Sequence, residues 1–204
     1  MKELTDLGFK EREIEKVNTF IFMVSPVLKS HLGNSFEIYD LCSGNGLTSF
    51  MFLLLSLAGK SVMYDTRQTN KFIKLQKLFR THRFDYQFHQ QDINLPIYLS
   101  QNKNKKAIIS IHPCAGLADR VIQISLDSKL PFALMTCCHK QIESVSYTLR
   151  NPPDSRLMLY EETSDYIDLV RQRYIEERGW FCYRFEIDKR ISPRNHILVG
   201  VPKS

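Results

Sequence analysis

The chain has 204 residues, 43% of them hydrophobic and 25% charged, with a formal net charge of +6. That length builds one sizeable core and is short for two. The most apolar run, FMFLLLSLAG, is too short to span a membrane, and the opening MKELTDLGFKEREIEK lacks the basic-then-apolar pattern of an export signal, so neither a membrane nor a secreted protein is expected.

The basic excess permits an anionic partner such as RNA without requiring one. The five cysteines are odd in number and irregularly spaced. They read as reduced thiols of a cytoplasmic protein, not as a disulfide framework.

In chain order, residues 1–34 predict a helical segment packed on the domain formed by residues 35–204. Ile14, Val17, Phe20, Ile21 and Val24 recur at helical spacing. Pro26 is expected to bend this helix or open a new turn. FEIYDLC then reads as a strand, followed by a glycine-containing loop and an apolar helix over 47–58. KSVMYD is a second strand, and TNKFIKLQKLFRTH an amphipathic helix with Phe72, Ile73, Leu75, Leu78 and Phe79 on its apolar side.

YQFHQQDI reads as a strand and loop, and KAIISIHPC and PFALMTCCHK as strands, with helices at AGLADRVIQISLDS and TSDYIDLVRQRYIEERG. WFCYRFEI and HILVGVP close the chain as two strands with no helix between them. This alternation predicts an α/β fold, a doubly wound Rossmann-like sheet, mostly parallel with an antiparallel C-terminal hairpin. Such sheets bind ligands beyond the carboxyl ends of their strands.

Three strand ends carry acids. The first runs Asp40-Leu41-Cys42-Ser43-Gly44-Asn45-Gly46 into a helix. Its glycines let a ligand approach the backbone, and the helix start offers free N–H groups. Asp65 ends the second strand, about 20 residues on, where an acid typically holds a ribose diol. It could equally cap the next helix. Asp92 ends the third strand. The loop has no third glycine of the dinucleotide type and no Gly-Lys-Ser/Thr of a P-loop. Three acids suit S-adenosylmethionine, with its cationic sulfonium and amino groups, better than a pyrophosphate.

The order DLCSGNG, MYD, QQDI and a terminal hairpin resembles a class I S-adenosylmethionine-dependent methyltransferase over about residues 36–202. Cys42 stands where the commonest form of that loop has glycine. The resemblance implies a seven-stranded sheet with the cofactor over its first three strand ends. Asp40, Cys42, Gly44 and Gly46 would line the methionine moiety, Asp65 the ribose, and Asp92 with Ile93 the adenine, with Gln91 completing the cofactor set.

SIHPCAGLADRVI, the Cys137-Cys138-His139 run and ISPRNHILVG are similar to three elements of a narrower subgroup. It includes the eukaryotic tRNA acceptor-stem 2′-O-methyltransferase and the methyltransferase-like-25 proteins. What this implies is methyl transfer to RNA, in its most specific form to a tRNA ribose hydroxyl. A hydroxyl acceptor must lose a proton. His112 or His139 could take it and Asp119 orient the base.

Each of these residues has a plainer reading. His112 could be a strand-end histidine satisfied by backbone, and Asp119 a helix-dipole partner. The basic helix Lys71, Lys74, Lys77, Arg80 and Arg83 could be a solvated face. Arg67, Arg120, Lys140, Arg150 and Arg156 follow strand ends, where they would suit a phosphate backbone. No metal is expected, because no C-x-x-C pair exists and Cys137 and Cys138 alternate to opposite faces of a strand. One of those two cysteines is expected beside His139 in the acceptor pocket. The competing functions are a methyltransferase on protein or small molecules, and a non-catalytic subunit that keeps the fold.

Overall fold

The computed structural model describes residues 2–100, 105–114, 116–136, 163–193 and 196–203. Two helices lead, α1 (Lys2–Asp6) and α2 (Glu11–Leu32). The strands are β1 (Phe36–Leu41), β2 (Ala58–Asp65), β3 (Tyr86–Gln90), β4 (Lys106–Ser110), β5 (Phe132–Met135), β6 (Trp180–Glu186) and β7 (His196–Pro202). Between them lie α3 (Leu47–Leu54), α4 (Asn70–Leu78), a 3₁₀ turn (Arg80–His82), α5 (Gly116–Ser128) and α6 (Thr163–Glu176).

The strands form one seven-stranded sheet in the order β3-β2-β1-β4-β5-β7-β6. β1 to β5 run parallel, while β7 pairs antiparallel with both β5 and β6. The fold is the doubly wound α/β sheet that the alternation predicts.

Both faces of the sheet are covered, and strand alternation sorts the core in two. Ile38, Ile109, Ala133, Met135, Ile197 and Val199 join the apolar sides of α2, α3 and α4. Tyr39, Ile108, Phe132, Leu134 and Leu198 join Val121, Ile122 and Ile124 of α5 and Ile175 of α6. Because both sides are packed, β1, β4 and β5 are buried along their whole length. At Gly200 a Cβ would lie 2.2 Å from Phe132 Cε1, so only glycine lets β7 dock beside β5.

Three local expectations need correction. α2 continues through Pro26 and opens no new turn there. Pro26 and Phe22, whose carbonyl loses its helical donor, both face solvent, where water replaces that bond. The apolar helix stops at Leu54, not Ala58. Ser56 adopts a left-handed φ of 54°, which turns the chain so that Ala58 pairs with Phe36. The amphipathic helix ends at Leu78, tightens into the 3₁₀ turn and stops at Arg83, with φ 50°. Thr69 caps α4, its Oγ1 accepting from Phe72 N–H at 3.1 Å, so Asp65 is not the cap.

Candidate active site

β1 lies between β2 and β4, so strand order reverses there, and a cleft opens beyond the carboxyl ends of these strands. Its volume is about 630 Å³. Cys42, Gly44 and Asn45 come from the loop after β1, Asp65 and Arg67 from β2 and its exit, Gln91, Asp92 and Ile93 from the exit of β3, and His112 and Cys114 from that of β4. A side pocket of about 50 Å³ continues toward Asp40 and Ser43 and is closed by Glu13 and Val17 of α2.

The loop after β1 is held by backbone. Ser43 N–H donates to the Tyr64 carbonyl at 3.0 Å, and Gly46 N–H to the Ser43 carbonyl at 2.9 Å. Gly44 N–H donates to Asp65 Oδ2 at 2.8 Å, tying the first two strand ends together across the cleft. Gly46 has φ 74°, and a Cβ there would meet Phe72 Cδ2 at 2.7 Å. The glycine is thus required twice, by its dihedral and by α4 pressing on it.

Asp40 is buried at the foot of the side pocket and accepts from Ser49 Oγ at 2.7 Å. Burial pushes its carboxyl up from 3.8 to about 7, the Ser49 bond opposes this, and the charge of Asp65 adds to it. Ser43 Oγ, in the wall of the same pocket, is buried with no hydrogen-bond partner among the described residues. An acid half-ionised for want of a counter-charge and an orphaned hydroxyl mark a place for a polar, cationic group.

Asp65 lies half-buried in the cleft wall, its Oδ1 accepting from Arg67 N–H at 3.2 Å. Asp92 is exposed and accepts from Asn94 N–H at 2.9 Å. Gln91 Nε2 donates to the Pro96 carbonyl at 2.7 Å. Ile93 is buried, and its carbonyl accepts from Arg120 Nε at 3.0 Å. The Cys42 thiol is pushed up to about 12, first by burial and then by Asp65 and Asp40. It lines the cleft as a protonated thiol at neutral pH. Among the described residues no group of three or more His, Cys, Asp or Glu side chains could hold a metal ion.

His112 belongs to both the cleft and the side pocket. Its ring stands at the rim, yet the surrounding protein pushes it down from 6.5 to about 4; Lys16 adds to this and Glu13 opposes it. Burial leads this shift, and the lowered value keeps the ring uncharged near neutral pH.

By sequence, residues 10–145 match the family described as "Methyltransferase domain". The chain belongs to that family. Its fold and family make it a class I, S-adenosylmethionine-dependent methyltransferase. No curated protein matches the chain.

Among solved structures, the methyltransferase is similar to an rRNA methylase from Streptococcus thermophilus, at 13% identity and a TM-score of 0.58, over 90% of this chain and 96% of that one. Magnesium protoporphyrin IX methyltransferase from Synechocystis PCC 6803, with bound SAH, gives 14% identity and 0.56 over 94% and 85%. The m1A22 tRNA methyltransferase TrmK of B. subtilis gives 10% and 0.51 over 88% and 65%. At these identities the likeness is one of fold.

Asp119 is not in the methyltransferase's cleft, contrary to expectation. Its carboxylate is buried and accepts from Arg171 Nε at 2.8 Å. Arg171, also buried, donates from Nη1 to Asp168 Oδ1 at 2.9 Å. Asp168 Oδ2 takes Thr136 Oγ1 at 2.8 Å and lies 3.0 Å from His196 Nδ1, while His196 Nε2 is 2.9 Å from Asp165. A guanidinium, fixed to two buried acids, pulls Asp119 into the seam between α5 and α6. His139, Cys137 and Cys138 lie outside the described residues, as do Lys140, Arg150 and Arg156.

Sequence reasoning missed Glu13. One of its oxygens accepts from Asn45 Nδ2 and the other pairs with Lys71 Nζ at 3.1 Å, so α2 closes the side-pocket end of the cleft. Nothing local marks it, since it is one of several acids in a charged stretch.

Proposed function

We propose that this methyltransferase acts on RNA, in its most specific form on the 2′-hydroxyl of a tRNA ribose. The observation that carries this reading is a single cleft in which strand-end acids meet a neutral histidine. The donor set fits the cofactor. Asp40 and the free Ser43 hydroxyl would hold its charged amino-acid end beside Gly44, Gly46 and Cys42. Asp65 would hold the ribose hydroxyls, and Gln91, Asp92 and the buried Ile93 the adenine. When bound, S-adenosylmethionine supplies a methyl group made electrophilic by a sulfonium.

The chain's own residues do the rest. Asp65, fixed by Gly44 N–H, is preorganised for a ligand diol. His112, uncharged at neutral pH, takes the proton of a hydroxyl acceptor at the rim. Asp119 keeps α5 in place rather than touching that proton. His139, four positions after the end of β5 in the sequence, is a second candidate base.

RNA as acceptor is supported by the three subgroup-like sequence elements, by the net charge of +6, and by neighbours named for rRNA and tRNA methylation. Labelled-methyl transfer to total RNA and total protein tests it. Label should enter RNA, vanish with Asp65→Ala, and appear as a 2′-O-methylated nucleoside after digestion. Label in protein or small molecules alone would overturn the RNA reading, and a methylated base the ribose form.

A further inference from the structure

The basic residues of this chain are not spread evenly. Between Asp65 and Asp85 there is no acidic residue, while Arg67, Lys71, Lys74, Lys77, Arg80 and Arg83 all fall in that stretch. These six cations equal the net charge of +6, so basic and acidic residues balance over the rest of the chain. The whole excess sits on α4 and its flanks.

The structure shows how that charge is presented. α4 starts at the cleft, which Thr69 and Lys71 line, and its Phe72 packs on Phe88 of β3, the edge strand of the sheet. Phe72, Leu75 and Phe79 hold it to the core. Lys74, Lys77, Arg80 and Arg83 are all exposed. None of the four has an ion pair among the described residues, whereas Lys71 is held by Glu13. Steps of three residues wind slowly round an α-helix and line up on a 3₁₀ turn. At about 1.5 Å per residue the four span about 13 Å. A nucleic acid strand carries one phosphate per roughly 3.4 Å of axis, so about four phosphates match the stripe.

We propose that Lys74, Lys77, Arg80 and Arg83 form a phosphate-binding track that leads an RNA strand along α4 to the cleft. This rests on the RNA reading of the cleft and adds the surface that carries the strand. Contacts of this kind position the substrate and read no sequence. Each should release about 0.7 of a counterion on a single strand.

The test is fluorescence anisotropy with a labelled 20-nucleotide single-stranded RNA across 50–200 mM KCl. Two paired variants, Lys74→Gln with Lys77→Gln and Arg80→Gln with Arg83→Asn, are made separately and then combined. Asparagine is chosen at 83 because it tolerates the left-handed φ of 50°. Each pair should flatten the slope of log affinity against log salt by about 1.4, and the four together by about 3. Affinity should fall more than tenfold at 100 mM, while SAH binding, read by calorimetry, stays unchanged.

A control removes the same number of charges elsewhere, at the exposed Lys2, Lys10, Lys105 and Arg173. It should change the slope by less than one. Equal losses in the control and the α4 variants would overturn the track, as would an unchanged slope in all of them while wild type still binds and methylates RNA. Wild type that binds vesicles of acidic lipid but not the RNA would overturn the track and the RNA reading together. Wild type that methylates RNA yet keeps full affinity in the combined variant would sink the track alone.

Discussion

Replacing Asp40 by asparagine separates what the residue does for a ligand from what it does to the fold. Its carboxyl rises from an ordinary 3.8 to about 7, chiefly through burial. A group whose folded value lies above its unfolded one holds its proton more tightly when folded. The contribution of this carboxyl to stability is thus fully present below about pH 4, is lost as pH rises toward about 7, and stays lost beyond that. At about 1.36 kcal/mol per tenfold in proton affinity, the interval amounts to about 4 kcal/mol.

Asparagine carries no charge to bury, and its Oδ1 can still accept from Ser49 Oγ. Asp40→Asn should therefore stabilise the ligand-free protein by about 4 kcal/mol at pH 8, raise its Tm by on the order of 10 °C, and change little at pH 4. It should also abolish the thermal shift given by SAH, since the ammonium group loses its counter-charge. Urea melts at pH 4, 6 and 8, with and without SAH, measure all of this. The same pH slope in both proteins, or a variant less stable at pH 8, would refute the reasoning.

Gly46→Ala places a Cβ 2.7 Å from Phe72 at a φ of 74° and should cost about 2–3 kcal/mol, read as a lower urea midpoint. With cofactor saturating, kcat should stay level through pH 6.5 and decline only toward pH 4, because His112 remains neutral; an acid limb at 6–7 that disappears in His112→Ala would contradict this. His112→Ala itself should lower kcat by about 10²–10⁴-fold and leave SAH affinity intact. Arg171→Met strands Asp119 and Asp168 in the interior and should cost about 3–5 kcal/mol, part of which Asp119→Asn in the same chain restores. No recovery in the double variant would show that the pairing is not what holds α5 to α6.

Residue pattern carried the layer order and the position of the cleft, because each strand and each amphipathic helix announces itself within a few residues. The loop Asp40–Gly46 and the acids Asp65 and Asp92 were legible for the same reason, each lying at a strand end. What could not be read depends on partners far away in the chain. Asp119 was expected to face the cleft from the first turn of a helix, but its direction is set by Arg171, 52 positions later. Glu13 meets Lys71 across 58 positions. The end of α3 was misplaced because the apolar run continues past it, and only pairing with β1 pulls Ala58 into a strand.

The place of β7 has a consequence for synthesis. It is the final strand of the sheet to be translated, yet it lies inside the sheet, bonded to β5 on one side and β6 on the other. Until residues 196–202 have left the ribosome, β5 has an open edge and β6 has no neighbour to pair with. A nascent chain can assemble the half that bears the cleft, β1 to β4, while the other half waits. That interval exposes the apolar edge of Phe132–Met135, a template for wrong pairing, to whatever is nearby. The hazard of wrong pairing at β5 should therefore persist until β7 has been translated and has taken its place in the sheet.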